Sequence, residues 1–321
     1  MYRADRKTPA WYGAETGHCV PLDITNGQVV DYQVENFARE ARAGGFDGIA
    51  ADNFGLYNDY MAAGVYDEQG EWVDKWSGQR YDVAWAEAAV NWLEAFAERV
   101  SAGLGLGVVP NFSLHACDPA QYNASSPIVA RVANASAAVL SEAGFTGWAS
   151  ARSSPAELRE LLRWMRLLQA QGKGYASVNE LATSNLTDPT SRRWVVGCFL
   201  LGNEKSSAVF LSGIQDYGVM ADFPEASVLV GSPVGPPVGT SSNGDGLGVE
   251  GEPFVWMRNF TSAFIVVNSG GAAAGVYLPL RGRGQTLYKD LDNITYVSGQ
   301  HVSIPSQTAG IFLILATDVH S

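Results

Sequence analysis

The chain has 321 residues, of which 46% are hydrophobic and 11% aromatic, enough apolar material for one large domain and a small one. Its formal net charge is −12, and only 21 lysines and arginines are spread along the whole chain, which argues against a nucleic-acid partner. The most apolar run, residues 194–202, is far shorter than the roughly 20 residues of a membrane span, so no membrane partner is expected.

The first predicted elements lie between residues 20 and 54. "VPLDIT" (20–25) is typical of a buried strand, and the next stretch keeps apolar side chains at helical spacing until two glycines stop it. A second apolar run, "FDGIAADNF" (46–54), predicts another strand. The helical positions are Val30, Val34, Phe37 and Ala41.

The same alternation continues as far as residue 213. Four more strand-type runs are separated by amphipathic helical stretches, one of which opens with a Ser-Pro start signal. Six strands alternating with helices predict an α/β fold with a parallel sheet and crossover helices. The later strand-type runs are residues 106–114, 135–145, 175–181 and 207–213.

A change of composition predicts the domain organisation. Residues 231–253 are rich in glycine, proline and serine, which is typical of a connecting loop. Beyond it, short β-type runs separated by turn residues predict a small antiparallel β-sandwich. The sequence therefore predicts a barrel-type domain at 1–230, a loop at 231–253 and a β-domain at 254–321.

Polar side chains stand at the ends of four predicted strands: Asp52, Asn111, Glu142 and Glu180. Because the carboxyl ends of parallel strands open on one face, these groups are expected on one rim. Helix capping or loop solvation is an equal alternative for any single Asp or Asn, but glutamate caps helices poorly.

Aromatic residues surround the first of these positions. An acid pair near flat aromatic faces suits glycoside cleavage, in which one carboxyl protonates the leaving oxygen while the other attacks or activates water. The alternative, about equally good for any single ring, is a cluster that packs the long loop. The rings that follow Asp52 are Tyr57, Tyr60, Tyr66, Trp72, Trp76 and Tyr81.

Several motifs resemble a known family. "PLDITNGQVVDYQVENFAREARAGGFDGIAADNF" (21–54) is similar to the opening motif of glycoside-hydrolase-like proteins distantly related to the polygalactosaminidases. "VLSEAGF" resembles their strand that ends in a catalytic-type glutamate. "WMRNFTSAFIVVN" and "SIPSQTAGIFLIL" resemble their β-domain, so the similarity covers most of residues 20–316.

This resemblance implies a (β/α)8-type TIM barrel, with Asp52 and Glu142 in the positions of the two working carboxylates. Six barrel strands instead of eight, with only about 20 residues before the first, predict a barrel that is incomplete at its N-terminus. The expected substrate-binding residues are Asn53, Asn111, Glu180, Tyr57, Trp72 and Trp148.

The cysteines and histidines give no sign of a cofactor. Cys19, Cys117 and Cys198 show neither a CxxC pair nor metal-ligand spacing, and the four histidines are scattered, so no metal or other cofactor is expected. Cys198 lies in an apolar segment typical of a core. Cys19 and Cys117 follow presumed strand or loop ends, where they would be able to pair in an oxidising compartment.

Six N-x-[ST] sequons favour the secretory pathway, although chance accounts for about half of them. Residues 1–17 lack the apolar region of a signal peptide, so either secretion is wrong or the true start is missing. The sequons are at Asn111, Asn123, Asn134, Asn185, Asn259 and Asn293.

The sequence thus predicts a secreted, metal-independent glycosidase that acts on a polysaccharide or oligosaccharide, with amino sugars suggested by the acidic charge. A non-catalytic carbohydrate-binding protein derived from such a barrel is the alternative. A third interpretation is a structural or interaction protein that uses the β-domain. The oligomeric state does not follow from the sequence.

Overall fold

The computed structural model describes residues 1–10, 21–147, 151–181, 188–204, 207–213, 223–241, 254–281 and 285–315. By its internal contacts the chain divides into Met1–Ser141 and Glu142–Ser321, called here the N-unit and the C-unit. Within these described ranges, no helix combines the length and the apolar character needed to cross a bilayer.

The N-unit consists of helices and short strands in alternation. The expected helix over residues 27–44 forms, and Gly45 ends it at a φ of 69°, a left-handed conformation that glycine adopts without strain. The elements are α1 (Gly27–Gly44), β1 (Gly48–Ala51), β2 (Gly64–Tyr66), β3 (Trp72–Asp74), α2 (Val83–Leu104), β4 (Gly107–Pro110), α3 (Pro127–Ala135) and β5 (Ala138–Ser141).

The strands β1, β4 and β5 run parallel and adjacent. β1 pairs with β4 from Gly48↔Gly107 to Ala51↔Pro110. β5 adjoins β4 because the Phe112 N–H donates to the Leu140 carbonyl at 2.8 Å. Since α2 connects β1 to β4 and α3 connects β4 to β5, the predicted alternation of parallel strands and crossover helices is confirmed here.

The predicted strand at residues 20–25 is wrong for its described part, residues 21–25, which form no strand. The Asp23 carboxylate accepts the Thr25 N–H at 2.9 Å and the Thr25 hydroxyl at 2.7 Å, which bends the chain into a turn. Asn26 then caps α1 by accepting the Gln28 N–H at 3.0 Å. These local side-chain bonds replace the strand pairing that the apolar run suggested.

The described part of the C-unit contains two α-helices and the remaining strands. The Ser-Pro start of its first helix is confirmed, and the structure adds a capping box, in which Ser154 and Glu157 bond each other's backbone N–H. The elements are α4 (Pro155–Ala170), β6 (Gly174–Leu181), α5 (Pro189–Gly202), β7 (Ser207–Gly213), β8 (Pro233–Thr240), β9 (Val255–Phe260), β10 (Ala263–Asn268), β11 (Ala274–Tyr277), β12 (Leu287–Asp290), β13 (Thr295–Val297), β14 (His301–Ile304) and β15 (Thr308–Ile314).

The C-unit combines a parallel pair with an antiparallel, β-rich part. β6 and β7 pair in parallel over seven residues each, while an antiparallel sheet has the order β13-β12-β15-β10-β9-β8. Strands β11 and β14 form a separate antiparallel pair, which shares one hydrophobic cluster with the large sheet. Among the described residues, five strands are parallel: β1, β4, β5, β6 and β7. A barrel of eight parallel strands therefore stays a prediction.

The segment predicted as a connecting loop contains a strand. Residues 233–240 form β8 at the edge of the antiparallel sheet. Proline is tolerated there because the outer side of an edge strand has no neighbouring strand, so the missing N–H of proline costs no hydrogen bond on that side. The register shifts between Val234 and Val238, and Gly235 has a φ of 81°, so a bulge accommodates Pro236 and Pro237, two of the three prolines of β8. The loop expectation is wrong here, while the domain boundaries drawn from it stay a prediction.

A buried arginine connects α5 to the antiparallel sheet. Arg258, on β9, is 2% exposed and donates to Glu204 Oε1 at 2.6 Å. Because the last carbonyls of a helix lack intrahelical partners, this guanidinium supplies the missing donors at the end of α5. It also reaches β8, and the carbonyl acceptors are those of Leu200, Leu201, Asn203 and Gly235.

We expect Arg258→Met to lower the free energy of unfolding by about 2–4 kcal/mol, because several buried carbonyls lose their donor and stay out of water. Urea unfolding followed by far-ultraviolet circular dichroism measures the change. The control is Arg163→Met, whose side chain is 58% exposed beside Glu160 and should cost at most about 1 kcal/mol. Equal losses in the two variants would contradict this role of Arg258.

Candidate active site

Asp52 immediately follows β1, at the strand end where the sequence placed it. Its Oδ1 accepts the Asn53 backbone N–H and Asn111 Nδ2, both at 2.8 Å, and its Oδ2 accepts Asn53 Nδ2 at 3.3 Å. The carboxylate is exposed and begins no helix, since α2 starts at Val83 and is capped by another residue. The capping alternative therefore does not apply, and amide groups hold the carboxylate in one direction.

The turn at Asn53 lets Asp52 face outward while Phe54 faces inward. Its φ of 53° lies in the left-handed region, which asparagine tolerates better than most residues. Phe54 is buried, with ring centroids 5.9 Å from Phe112 and 6.3 Å from Trp92. The packing of Phe54 thus stabilises the turn that exposes the Asp52 carboxylate.

Asn111 is placed by the same strand pairing. Its backbone N–H donates to the Ala51 carbonyl at 2.8 Å, and it forms a parallel bridge with Leu140. Both bonds fix the main chain from which its carboxamide reaches Asp52. Since Nδ2 of Asn111 is engaged with that carboxylate, the sequon at this position is a poor acceptor for a glycan.

A cleft of about 220 Å³ opens beside Asp52 within the N-unit. Asp52 and Asn53 supply polar groups to its wall, and the lining is otherwise mostly apolar and aromatic. Such a surface suits a ligand with one apolar face and a few polar groups directed to one side. The aromatic residues that line it are Phe54, Tyr57, Tyr60, Trp85 and Trp92.

The aromatic residues of the long loop divide between the cleft wall and the core. Tyr57 and Tyr60 are half-buried and line the cleft. Trp76 is buried in a cluster with Trp85, at 4.9 Å between ring centroids, and packs the loop. Trp72, predicted to bind substrate, lies on β3, where its ring contacts Tyr66 at 5.3 Å; it is not among the described residues that line the cleft.

Sequence reasoning missed the contribution of α1 and α2 to this cleft. Gln33 of α1 lies on the wall, and its Oε1 accepts Trp92 Nε1 at 2.8 Å. Trp85, Ala89 and Trp92 follow the i, i+4, i+7 spacing of one helix face, a signal that was present in the sequence. Nothing in the sequence linked that face to Gln33, 59 residues before Trp92.

Glu142, the second predicted carboxylate, is the first residue of the C-unit and is half-buried directly after β5. The turn that follows it is held in place, because the Phe145 N–H donates to Asn179 Oδ1 at 2.6 Å and Trp194 Nε1 donates to the Phe145 carbonyl at 3.0 Å. Gly144 has a φ of 40°, and a Cβ there would collide with the Asn179 side chain. This turn therefore requires glycine.

The remaining predicted site residues differ in what the structure describes. Glu180 is buried, as the next-to-last residue of β6 beside Ser212 of β7. Trp148 lies outside the described residues. Roles for Glu142, Glu180 and Trp148 in a site stay predictions.

The two described cysteines, Cys117 and Cys198, are buried. Burial raises the pKa of Cys117 to about 12, although a backbone hydrogen bond with Leu56 opposes the shift, and its Sγ contacts the Ser113 carbonyl at 3.8 Å. Cys198 is buried, as predicted, and burial raises its pKa as well. Cys117 is a free thiol, while Cys19, its suggested partner, lies outside the described residues.

Comparison with known proteins gives a family and a fold. The sequence profile of hypothetical glycosyl hydrolase family 15 matches residues 1–264. A comparison with curated proteins gives no match.

Solved structures resemble the chain at low sequence identity. Abp-WT, a GH27-b-L-arabinopyranosidase from Geobacillus stearothermophilus, aligns with a TM-score of 0.50 and 10% identity, over 94% of this chain and 65% of that chain. Alpha-galactosidase I from Mortierella vinacea aligns at 0.47 and 11% identity, over 91% and 73%. The glycoside hydrolase domain of PelA from Pseudomonas aeruginosa aligns at 0.39 and 17%, over 63% and 67%. The likeness to Abp-WT supports the fold alone.

Asp82 anchors the helix that carries Trp85 and Trp92. Its Oδ2 accepts the Ser77 N–H and hydroxyl, both at 2.5 Å, and its Oδ1 accepts the Ala84 N–H at 2.8 Å and the Trp85 N–H at 3.2 Å. Burial favours the neutral acid and would raise its pKa, but the bonds from Ser77, Trp85 and Ala84 outweigh burial and lower it. The charged form of Asp82 is therefore the one that the fold stabilises.

A lowered folded-state pKa gives a stabilisation that is present above the unfolded pKa of about 3.9 and is lost as the pH falls through the folded value. We expect Asp82→Ala to lower the free energy of unfolding by about 1–2 kcal/mol at pH 7. We also expect its deficit against wild type to shrink below about pH 4. Urea unfolding between pH 7 and pH 2.5 measures the loss at pH 7 and its change with pH. Asp47→Ala is the control. A deficit that does not change with pH would refute the assignment to the charged form.

Proposed function

Because the chain belongs to hypothetical glycosyl hydrolase family 15, we propose that it hydrolyses glycosidic bonds of a polysaccharide or oligosaccharide with Asp52 and Glu142 as its working carboxylates. The observation that carries the proposal is the Asp52 carboxylate, which amide donors from Asn53 and Asn111 aim at an aromatic cleft. Both acids follow the carboxyl ends of parallel strands, where βα folds place their active sites.

The reaction needs one carboxyl that gives a proton to the leaving oxygen and one carboxylate that attacks the anomeric carbon or takes a proton from water. Among the described residues, Asp52 accepts three hydrogen bonds, all from N–H groups, which suits the attacking or proton-accepting role. Glu142 then takes the role of proton donor. Water supplies the hydroxyl group of one product, and the leaving sugar keeps the bridging oxygen with the proton.

The surroundings of Asp52 suit a sugar. Aromatic rings contact the apolar face of a pyranose, and Tyr57 and Tyr60 are half-buried in the cleft wall. We assign Asn53 and Asn111 to the positioning of Asp52, and we assign hydrogen bonding to substrate hydroxyls to Glu180. An exposed sequon at Asn123 supports a secreted form of the protein.

We predict that Asp52→Asn and Glu142→Gln each lower hydrolysis of the responsive substrate at least about 100-fold, because each variant removes an acid or base from the transition state. Reducing-end release from a panel of soluble neutral and amino-sugar polysaccharides measures the rate. The melting temperature should change by only a few degrees in either variant.

The matched control is Asp47→Asn, since Asp47 is exposed and precedes the same strand at its opposite end. It should keep wild-type turnover. Full activity in Asp52→Asn would remove that residue from the mechanism. Saccharide binding by wild type without any reducing-end release would favour a carbohydrate-binding protein over an enzyme.

A further inference from the structure

We infer that Gln33 recognises the substrate by donating a hydrogen bond from its side-chain Nε2 to a hydroxyl of a single neutral pyranose ring in the cleft beside Asp52. This inference deepens the proposed function and rests on it for the identity of the ligand as a saccharide. It rests on three features of the N-unit: a fixed indole, an oriented amide and a small cleft whose described lining holds one charged residue.

The indole of Trp92 is held firmly from more than one side. Its ring lies nearly parallel to Phe96, with 5.4 Å between centroids and 13° between planes, and it also stacks with Phe54 at 6.3 Å and 27°. Phe54 and Phe96 are themselves buried. The direction of the indole N–H is therefore set by packing and not by the ligand.

That N–H fixes the amide of Gln33. Trp92 Nε1 donates to Gln33 Oε1 at 2.8 Å, and an indole N–H is only a donor, so it selects the amide oxygen and leaves Nε2 on the other side. Within the described residues, Nε2 makes no hydrogen bond. Gln33 is half-buried on the cleft wall, so a preoriented pair of N–H donors is available to a ligand.

The size and the charge of the cleft restrict that ligand. Its volume of about 220 Å³ is below the roughly 300–1,000 Å³ of pockets that enclose drug-sized molecules, so the cleft holds about one sugar ring and the rest of a longer substrate lies outside it. Asp52 is the one charged residue among the described residues that line it, and the reaction uses that carboxylate. With no basic group in the described lining, a neutral ring is preferred to a uronate.

The test compares isosteric variants of the full chain by ligand-observed NMR titration with methyl α- and β-pyranosides of glucose, galactose and mannose. Gln33→Glu keeps the acceptor for Trp92 Nε1 and loses the Nε2 donors, and Gln33→Met loses both. Gln69→Glu is the control for the added charge, because Gln69 is exposed in the turn between β2 and β3. Trp92→Phe keeps an aromatic ring but releases the amide.

We expect at least one methyl pyranoside to bind wild type and Gln69→Glu alike. Gln33→Glu and Gln33→Met should weaken its binding about 5- to 10-fold, and Trp92→Phe should weaken it less. The 6-deoxy or other monodeoxy analogue that lacks the recognised hydroxyl should lose affinity in wild type but lose nothing further in Gln33→Met. Melting temperatures close to wild type show that the variants are folded.

Unchanged affinity in both Gln33 variants, or no binding of any methyl pyranoside to wild type, would overturn the inference. The outcome for the proposed function is separate. Saccharide binding that depends on Gln33, without any hydrolysis, would support the Gln33 subsite and refute the proposed hydrolase activity. Hydrolysis with an unchanged KM in Gln33→Glu would support the hydrolase activity and refute the Gln33 subsite.

Discussion

The parallel pairing of β1 with β4 is the constraint on which the candidate site depends. Its register matches Gly48 with Gly107 and Ala51 with Pro110, so Asp52 and Asn111 leave the two strands side by side. A Cβ on Gly48 would approach the Gly107 carbonyl oxygen to 2.9 Å, which shows how closely the backbones lie. Because a slip of one residue would move every side chain to the opposite face, this register alone allows the carboxamide of Asn111 to meet the carboxylate.

The acid at this strand end differs from other carboxylates of the chain in the groups that hold it. Glu94 accepts two bonds from the Arg131 guanidinium, and this bonding lowers the pKa of Glu94 against the opposing effect of its burial. Asp52 is held by neutral amides, and its carboxylate makes no ion pair among the described residues. Amide donors fix the direction of the Asp52 carboxylate without placing an opposite charge beside it.

The sequence predicted the parts of the fold that depend on local patterns. The helical period with Gly45 predicted α1, the Ser-Pro signal predicted α4, and the apolar run before Asp52 predicted β1 and the position of the acid. It failed where local polar bonds or sheet context decide the structure. Asp23 and Thr25 form a turn in an apolar run, and the prolines of β8 are accommodated at a sheet edge.

The candidate site was predictable only in part, for a related reason. Asp52 and Asn111 stand at strand ends, which a pattern reveals, whereas the contact between Gln33 and Trp92 joins two helix faces that are far apart in the sequence. Such a contact depends on how α1 and α2 lie against the sheet, and no local signal encodes it. Tyr57 and Trp76 show the same limit, since the pattern could not tell a cleft ring from a core ring.

The most direct test of the role of Asp52 is azide rescue of Asp52→Ala, measured with aryl glycosides of the sugar that the wild-type protein cleaves. We expect the variant alone to be nearly inactive. Azide, which takes the place of the missing carboxylate or activated water, should restore aryl release and appear in the product as a glycosyl azide. Wild-type turnover by Asp52→Ala without azide would contradict the claim that this carboxylate, held by Asn53 and Asn111, carries the reaction.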